Sequence, residues 1–386
     1  MIDADNYSAL DREIQEAIRQ DYVVLDALRA EVRPLLGQTR RIQPRSTTAI
    51  SLVGTDAGQN QVEFDPFMIQ VVRVVDSSNN EYCLEVVTPT SDIREVTARH
   101  ISREGHPISA LGRMMAAVGV KDLWSLSPMI PKPALKHDPS TPVKPSWVQV
   151  YRELMEWATL LYLVRDVDFG SDTVIVMDGN LRSKVFAGNL FLAYRSALQQ
   201  AVDGHWKDRR RRVYVAGVAK HSKVLQRYRV ALALEGVLQN HYPCYVAVPR
   251  EMEEKAYIWQ EYARGDETAA QGGEENKFVG GKMFLVKFGG RPLDPIWPVD
   301  IFLSQTDQAP TILSYLLGDA LVGFPVPFYP SCLQRAHEHA ALVDFDYAVL
   351  QDRISAALRD ALGPEGPRLD ELALQEQDPS ARRYAR

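Results

Sequence analysis

The chain has 386 residues, of which 46% are hydrophobic and 24% are charged, with 23 Gly and 23 Pro. This composition excludes disordered and collagen-like chains and is typical of a globular protein with a sizeable core. Lys and Arg total 44 against 50 Asp and Glu, a net charge of -6, so any contact with nucleic acid has to come from a local basic patch.

The cysteines and the apolar segments indicate the cellular compartment. The three cysteines lie far apart without a CxxC pair, which argues against a disulfide framework and a cysteine zinc site. The N-terminal residues lack the pattern of a signal peptide. The most membrane-like segment, 312–334, contains Asp319 and three prolines, which a spanning helix tolerates poorly. We therefore expect a cytoplasmic protein with no membrane association.

The first part of the chain changes from a helical to a strand pattern. Apolar residues recur at helical spacing over 7–32, which predicts one or two amphipathic helices in an N-terminal helical region, 1–45. Short β-branched runs follow, separated by Gly, Asn, Asp or Ser. These runs, at 47–55, 67–75 and 82–87, predict an antiparallel meander.

The second part predicts helices alternating with strands. Six prolines make 127–146 an extended connector, and a helix is predicted over 147–165. Strands are predicted at 173–177, 213–219, 245–248 and 283–288, with helical patterns at 186–202 and 223–239. This alternation is typical of a partly parallel sheet covered by helices, the α/β class. We assign a main domain to 46–345, including a Gly-rich insertion at 265–276, and a C-terminal helix and flexible tail to 346–386.

Two aspartates follow apolar strands. Alternation places Asp56 on the same face as Ile50 and Leu52, and Asp178 follows the apolar run 174–177. The carboxyl edge of an α/β sheet is where ligands bind, and carboxylate oxygens are the ligands that Mg²⁺ or Mn²⁺ prefers. An Asp close to a Gly is more often part of a turn, but two of them after core strands favour a metal site.

Two further charged groups could complete such a site. The helix over 147–165 offers Glu153 or Glu156 as a third carboxylate, a choice that the sequence leaves open beside the simpler role of a solvated helix face. Lys220 ends the strand 213–219. There it is either a solvated cap or a point charge that holds a phosphate.

The late segment 323–337 combines a proline-fixed turn with a helix that starts near Ser331 and carries His337. His339 does not share the helical face of His337, so the two do not form a zinc pair. The HExxH, P-loop, GxGxxG and GxSxG motifs do not occur, which argues against zincins, P-loop ATPases and α/β-hydrolases.

A basic run lies just before the strand that leads to Lys220. It consists of Lys207, Arg209, Arg210, Arg211 and Arg212, with Trp206 beside it. Such runs are usually solvated, but in an acidic protein this one is the best candidate for contact with DNA phosphates, and Trp206 could stack on a base.

Taken in order, these elements resemble the NurA nuclease family. The family pattern is an early strand with Asp, a "DGxL" strand, a "K-x-S" strand end and a "YP…AH" element; here these are Asp56, Asp178 to Leu181, Lys220 to Ser222, and Tyr329 to His337. Two positions depart from it: Thr55-Asp56-Ala57-Gly58 stands for a "VDGS"-like sequence, and Phe328 replaces the glycine before "YP".

The resemblance implies an RNase-H-like mixed sheet flanked by helices and a Mn²⁺-dependent DNA nuclease, with Mg²⁺ as the second candidate ion. It implies 5′ to 3′ exonuclease and single-strand endonuclease activity, a homodimer, and a HerA-type hexameric ATPase as partner. By the same resemblance Asp56, Asp178 and His337 are metal ligands, Glu153 or Glu156 is the third carboxylate, Lys220 contacts the scissile phosphate, and Tyr329 completes the site. A nitrogen ligand such as His337 favours Mn²⁺ over Mg²⁺.

Two alternatives remain open at this point. The altered sequence around Asp56 also fits a catalytically silent NurA-like subunit that anchors a partner ATPase. A weaker alternative is an RNA-processing enzyme on the same fold.

Overall fold

The computed structural model describes residues 4–45, 50–64, 67–133, 146–257, 277–341 and 344–366. Within these ranges, one nine-stranded mixed sheet carries helices on both faces. The strands are β1 (Arg40–Arg41), β2 (Ile50–Phe64), β3 (Phe67–Asp76), β4 (Glu81–Val87), β5 (Asp172–Asp178), β6 (Val213–Val218), β7 (Cys244–Ala247), β8 (Gly281–Lys287) and β9 (Ile296–Phe302).

The helices follow the same chain order. They are α1 (Ala4–Leu36), α2 (Ile93–Ala98), α3 (Ala110–Ala117), α4 (Leu123–Leu126), α5 (Ser146–Asp166), α6 (Leu190–Arg209), α7 (Lys223–Leu234), α8 (Arg250–Ala256), α9 (Ala309–Ala320), α10 (Ser331–Ala340) and α11 (Asp344–Leu362), with a 3-10 helix at Leu303–Gln308. Among the described residues, none of these helices has the length and apolar character needed to cross a bilayer.

The strand order is β1-β7-β8-β9-β6-β5-β2-β3-β4. Strands β2, β3 and β4 form an antiparallel meander, and β5 and β6 run parallel to β2. This order and these directions make β2 to β6 an RNase-H-like sheet flanked by helices, so the expected fold class is confirmed. Strand β5 lies inside the sheet, and its residues Val174, Ile175 and Val176 have no exposed surface, as expected of a strand covered on both faces.

Different helices cover the two faces of the sheet. On one face, α5 and α6 contribute Trp157 and Phe191 to a core with β5 and β6. On the other face, α9 and α10 contribute Leu316 and Leu333. Helices α1 and α7 pack together over β7 and β8, with Tyr228 fully buried between them. The carboxyl ends of β5 and β6 therefore open between two covered faces, which is where a ligand can enter.

The sequence pattern missed one central strand. Strand β9 lies between β8 and β6, but it contains Pro298, and a proline inside a run argues against a central strand. Pro298 is tolerated because the paired residues of β9 and β6 end at Val299, so the missing N–H lies just beyond the ladder, where the Pro298 carbonyl accepts the N–H of Ala219 at 3.0 Å. The N-terminal segment forms the single helix α1.

Strands on both sides of the proline-rich connector share this one sheet. Most of the connector, 134–145, lies outside the described residues, as do the Gly-rich insertion, 265–276, and the end of the tail, 367–386. Helix α11 occupies the start of the expected C-terminal segment.

Candidate metal centre

The two aspartates meet on neighbouring parallel strands. Asp178 is the last residue of β5, and Asp56 comes directly after Thr55, the last residue of β2 that pairs with β5. The expectation that Asp56 ends its strand is wrong, because β2 continues to Phe64 with β3 as its antiparallel partner. Asp56 nevertheless lies at the edge where β5 stops, so both carboxylates occupy the same end of the sheet.

Helix α10 reaches this edge because β2 has two glycines where the helix crosses it. A Cβ atom at Gly54 would lie 2.5 Å from the carbonyl oxygen of Cys332, and one at Gly58 would lie closer still to the carbonyl oxygen of Ala340. The helix backbone can therefore lie directly on the strand. This close approach brings Nδ1 of His337 to 2.7 Å from Oδ2 of Asp56.

Three side chains on these elements can hold one cation. Ligand atoms of Asp56, Asp178 and His337 all lie within 4.8 Å of one another. Both aspartate side chains are 12% exposed, and that of His337 is 60% exposed. Two carboxylates and one imidazole form a donor set that suits a divalent cation such as Mn²⁺, and the exposed imidazole leaves an open side for a ligand.

Each aspartate is held in a fixed orientation. The hydroxyl of Tyr329 donates to Oδ1 of Asp178 at 2.9 Å, and the Lys220 ammonium donates to Oδ2 at 2.8 Å. Asp56 accepts the backbone N–H of Ala57 at Oδ1, 2.8 Å. Burial and the charge of Asp178 hold the pKa of Tyr329 well above its usual range, so its hydroxyl stays a neutral donor.

The two glutamates of α5 differ in their surroundings. Oε1 of Glu153 accepts the Ser183 hydroxyl at 2.6 Å and the Trp157 indole N–H at 3.4 Å, so Glu153 connects α5 to the loop after β5. Burial raises the pKa of Glu156 well above its ordinary value; the charge of Arg152 opposes this effect, and the charges of Asp56, Glu153 and Asp178 add to it. Glu156 is therefore the helix carboxylate that interacts electrostatically with both aspartates.

A cleft of about 1140 Å³ opens beside the metal centre. Its lining includes Glu156, Asp178 and Lys220, together with Lys223 and Arg229 of α7. The sequence analysis missed these two α7 residues. Lys223, Gln226 and Arg229 follow one another at intervals of three residues, a spacing that places neighbouring members on the same side of a helix. This spacing is the sequence signal that could have identified them.

The loop after Asp178 is anchored by a buried ion-pair network. The guanidinium of Arg182 pairs with Asp300 of β9 at 3.0 Å and with Glu253 of α8 at 2.8 Å, and the three side chains are at most 2% exposed. Removing one partner of such a network leaves an uncompensated buried charge. The network ties the loop to two elements of the other half of the sheet.

The basic run lies at the opposite end of the strands from Asp178 and Lys220. It precedes β6, whereas Lys220 follows the far end of that strand, about 20 Å away at ~3.3 Å per residue. Arg209 and Arg211 pair with Asp168, at 2.7 and 3.3 Å. The guanidinium groups of Arg210 and Arg212 lie over the Trp206 ring, 5.6 and 4.9 Å from its centroid. The structure therefore does not bring this run to the carboxylates.

No protein-family model and no curated protein matches this sequence. Solved structures similar to the chain include the NurA nuclease from Sulfolobus solfataricus, with 12% identity, 92% of this chain and 98% of that chain covered, and a TM-score of 0.46. Another NurA structure is 11% identical, with 94% and 98% covered and a TM-score of 0.44. A NurA structure bound to dAMP and manganese is 9% identical, with 86% and 94% covered and a TM-score of 0.40. These structures come from the NurA family, the family that the motifs of this chain resemble.

Proposed function

We propose that this protein is a metal-dependent DNA nuclease. The observation that carries the proposal is the convergence of Asp56, Asp178 and His337, whose ligand atoms lie within 4.8 Å of one another at the open edge of the sheet. Asp56 and His337 are 281 positions apart in the chain. Their convergence with Glu156 and Lys220 beside a cleft fits hydrolysis of a phosphodiester.

The donor set fits a divalent cation, with Mn²⁺ as the first candidate and Mg²⁺ as the second. Carboxylate oxygens suit both ions, and the imidazole of His337 favours Mn²⁺. Bound cations of this kind would act as Lewis acids that activate a water molecule and would neutralise negative charge on the phosphate. Asp56, Asp178 and His337 are the residues that would hold the cation, and a bound cation would favour the ionised form of the nearby Glu156.

The residues of the chain orient the substrate and stabilise charge. Tyr329 fixes one oxygen of Asp178, so the other oxygen and the ammonium of Lys220 keep a constant geometry. The Lys220 side chain is 38% exposed, and an ammonium has three donors, so it can bind a phosphate oxygen while it still contacts Asp178. Such a positive charge stabilises the negative charge that develops on the phosphate.

The cleft supports a polyanionic substrate. Lys223 and Arg229 line it beyond Lys220, in a chain whose net charge is -6. A local row of cations is what a nucleic-acid backbone requires. We assign the first phosphate contacts to these cleft residues and keep the run 206–212 as a second, more distant DNA contact.

The finer properties are proposed from the family resemblance. They are 5′ to 3′ exonuclease and single-strand endonuclease activity, assembly as a homodimer, and cooperation with a HerA-type hexameric ATPase. Competition between DNA and RNA substrates separates the DNA nuclease from an RNA-processing enzyme.

The proposal is tested by substituting each aspartate. In Asp56→Asn and Asp178→Asn, the rate of single-stranded DNA cleavage with Mn²⁺ should fall by more than about 100-fold. Removing a residue that only hydrogen-bonds a metal ligand already lowers metal affinity or activity by about 10- to 100-fold. Asp203→Asn, an exposed aspartate of α6, is the matched control and should keep the wild-type rate. If either of the first two variants cleaves as fast as the wild type, the proposal fails. A wild type without metal-dependent products would instead support the silent subunit.

A further inference from the structure

The segment 321–328 between α9 and α10, here called the tongue, is apolar and exposed. Phe324 is 81% exposed, Val322 70%, Leu321 55% and Val326 38%. Scattered exposed apolar side chains are ordinary, but a contiguous group of them marks a binding site. None of the metal and phosphate contacts assigned above involves this group.

The backbone of the tongue is held by one buried side chain. The amide of Gln334, a residue 6% exposed, accepts the N–H of Val326 at 2.8 Å and donates to the carbonyl of Val326 at 3.1 Å. The same amide donates to the carbonyl of Tyr329 at 2.9 Å. These bonds fix the end of the tongue that leads into Tyr329, and a backbone held in place lowers the entropy cost of binding there.

The tongue is continuous with the metal centre. It leads directly into Tyr329, whose hydroxyl contacts Asp178, and Gln334 lies on α10, the helix that carries His337. Phe324 is five residues from Tyr329, a span of at most about 18 Å. A Cβ atom at Gly323, the residue before Phe324, would clash with the carbonyl oxygen of Tyr329, so the backbone beside Phe324 packs against the residue whose hydroxyl contacts Asp178.

We propose that the tongue is a base-stacking element and that Phe324 packs against a nucleobase of the strand whose phosphate occupies the site. This inference rests on the proposed nuclease function. Aromatic rings stack on bases of any sequence, and Phe, Leu and Pro side chains are the apolar wedges that separate bases in other nucleic-acid complexes. Lys220, which reaches the same carboxylate as Tyr329, binds the backbone of that strand.

The size of the tongue favours a base over a protein partner. A stable protein interface buries about 800 Å² on each partner, and four partly exposed side chains offer well below that area. One aromatic ring with flanking aliphatic side chains matches one or two bases. The tongue is therefore a subsite for an unpaired nucleotide next to the cleaved bond.

The test uses single-stranded oligonucleotides that each lack one base at a defined position. For the wild type, we expect one position near the cleaved bond where the missing base slows cleavage about tenfold, the effect of losing one stacked base. The measured quantity is the cleavage rate of the intact oligonucleotide divided by that of the oligonucleotide lacking the base. Phe324→Trp should keep the wild-type ratio, and Phe324→Ala should reduce it to about one. Leu84→Ala, which removes an exposed apolar side chain of β4, is the control and should keep the wild-type ratio.

The inference is overturned if the wild type shows no such position, or if Phe324→Ala keeps it. The same labelled oligonucleotides are also bound in Ca²⁺ and followed by fluorescence anisotropy, which reports stacking without cleavage. If the wild type cleaves nothing, the nuclease proposal fails, and the anisotropy ratios of the three variants still decide whether Phe324 recognises a base.

Discussion

At the residue scale, His337 differs from the other members of the metal centre in its exposure and in its donor atom. Its side chain is 60% exposed and supplies nitrogen, whereas the two aspartates are 12% exposed and supply oxygen. Oxygen donors alone do not separate Mn²⁺ from Mg²⁺, and an imidazole favours Mn²⁺. His337 is thus the residue that we expect to set the preference between the two ions.

Replacing this histidine tests that role. In His337→Ala, the ratio of Mn²⁺-supported to Mg²⁺-supported cleavage should fall by about tenfold, because an all-oxygen site remains. Cleavage rates with each ion at saturating concentration give the ratio. His339→Ala removes an imidazole two positions away and should leave the ratio at the wild-type value. A ratio that does not change in His337→Ala would exclude His337 as a selective ligand.

A second histidine links protonation to stability. His100 is fully buried, with Nδ1 2.7 Å from the Ser109 hydroxyl and Nε2 2.7 Å from the Tyr151 hydroxyl. Burial lowers its pKa, the nearby charge of Glu85 opposes this effect, and Arg99 adds to it. The folded state therefore binds a proton less readily than the unfolded state, where the pKa is about 6.5.

The sign of the pH effect follows from that difference. Above pH 6.5 the imidazole is neutral in both states, and below it the unfolded state takes up the proton first, so stability falls as the pH decreases. Each unit of pKa difference corresponds to about 1.4 kcal/mol. We measure the free energy of unfolding by urea denaturation at pH 7.5 and at pH 5.5. It should fall less between these pH values in His100→Gln than in the wild type, and His106→Gln, at an exposed position, is the control. An equal fall in all three proteins would contradict the role of His100.

At the element scale, the contact between α10 and β2 creates the site. Two glycines of β2 allow the helix backbone to lie on the strand, and this places His337 against Asp56. A methyl group at Gly54 would meet the backbone at Cys332, which has no flexible side chain that could move away. We therefore expect the helix to shift when a side chain is introduced.

The corresponding variant is Gly54→Ala. It should lower the free energy of unfolding by about 1–3 kcal/mol, the cost of overpacking, and it should weaken Mn²⁺ binding because His337 moves away from Asp56. Thermal denaturation and a Mn²⁺ titration measure the two effects. Gly204→Ala in α6, where a Cβ meets no atom within 4 Å, should instead be neutral or stabilise by up to about 1 kcal/mol. If Gly54→Ala changes neither the free energy of unfolding nor Mn²⁺ binding, the close packing of α10 on β2 is not required for stability or for the site.

The positions of the candidate site residues could be predicted only in part from the sequence. The strand patterns and their order were sufficient to expect Asp56 and Asp178 at one end of the parallel pair, although β2 continues to Phe64 beyond the end of β5. The choice between Glu153 and Glu156 was not accessible, since it depends on how α5 is rotated about its axis relative to the sheet. The distance of the run 206–212 from Lys220 follows from the length of β6, which separates two positions that are close in sequence.

At the scale of the whole molecule, both halves of the chain contribute to one sheet and one site. Asp56 comes from the N-terminal meander, Asp178 and Lys220 from the parallel strands, and His337 from the late helix. Seven of the nine strands have a recognisable sequence pattern; the two-residue strand β1 and the strand β9, which contains Pro298, do not. Contacts that depend on the relative placement of distant elements, such as Arg182 with Asp300 and Glu253, have no local signal in the sequence.

The proposed homodimer belongs to this scale as well. Light scattering should give twice the mass of one 43.4-kDa chain, because the resemblance to the NurA family implies a homodimer. A mass of one chain at working concentration would contradict this proposal.

We infer that side chains distant in sequence form a site for a divalent cation, and anomalous diffraction from crystals soaked in Mn²⁺ tests this inference. We expect a Mn²⁺ peak bonded to oxygens of both Asp56 and Asp178, within the ~2.0–2.6 Å typical of hard cations. A structure in which millimolar Mn²⁺ binds elsewhere, or leaves these two carboxylates without an ion between them, would contradict it.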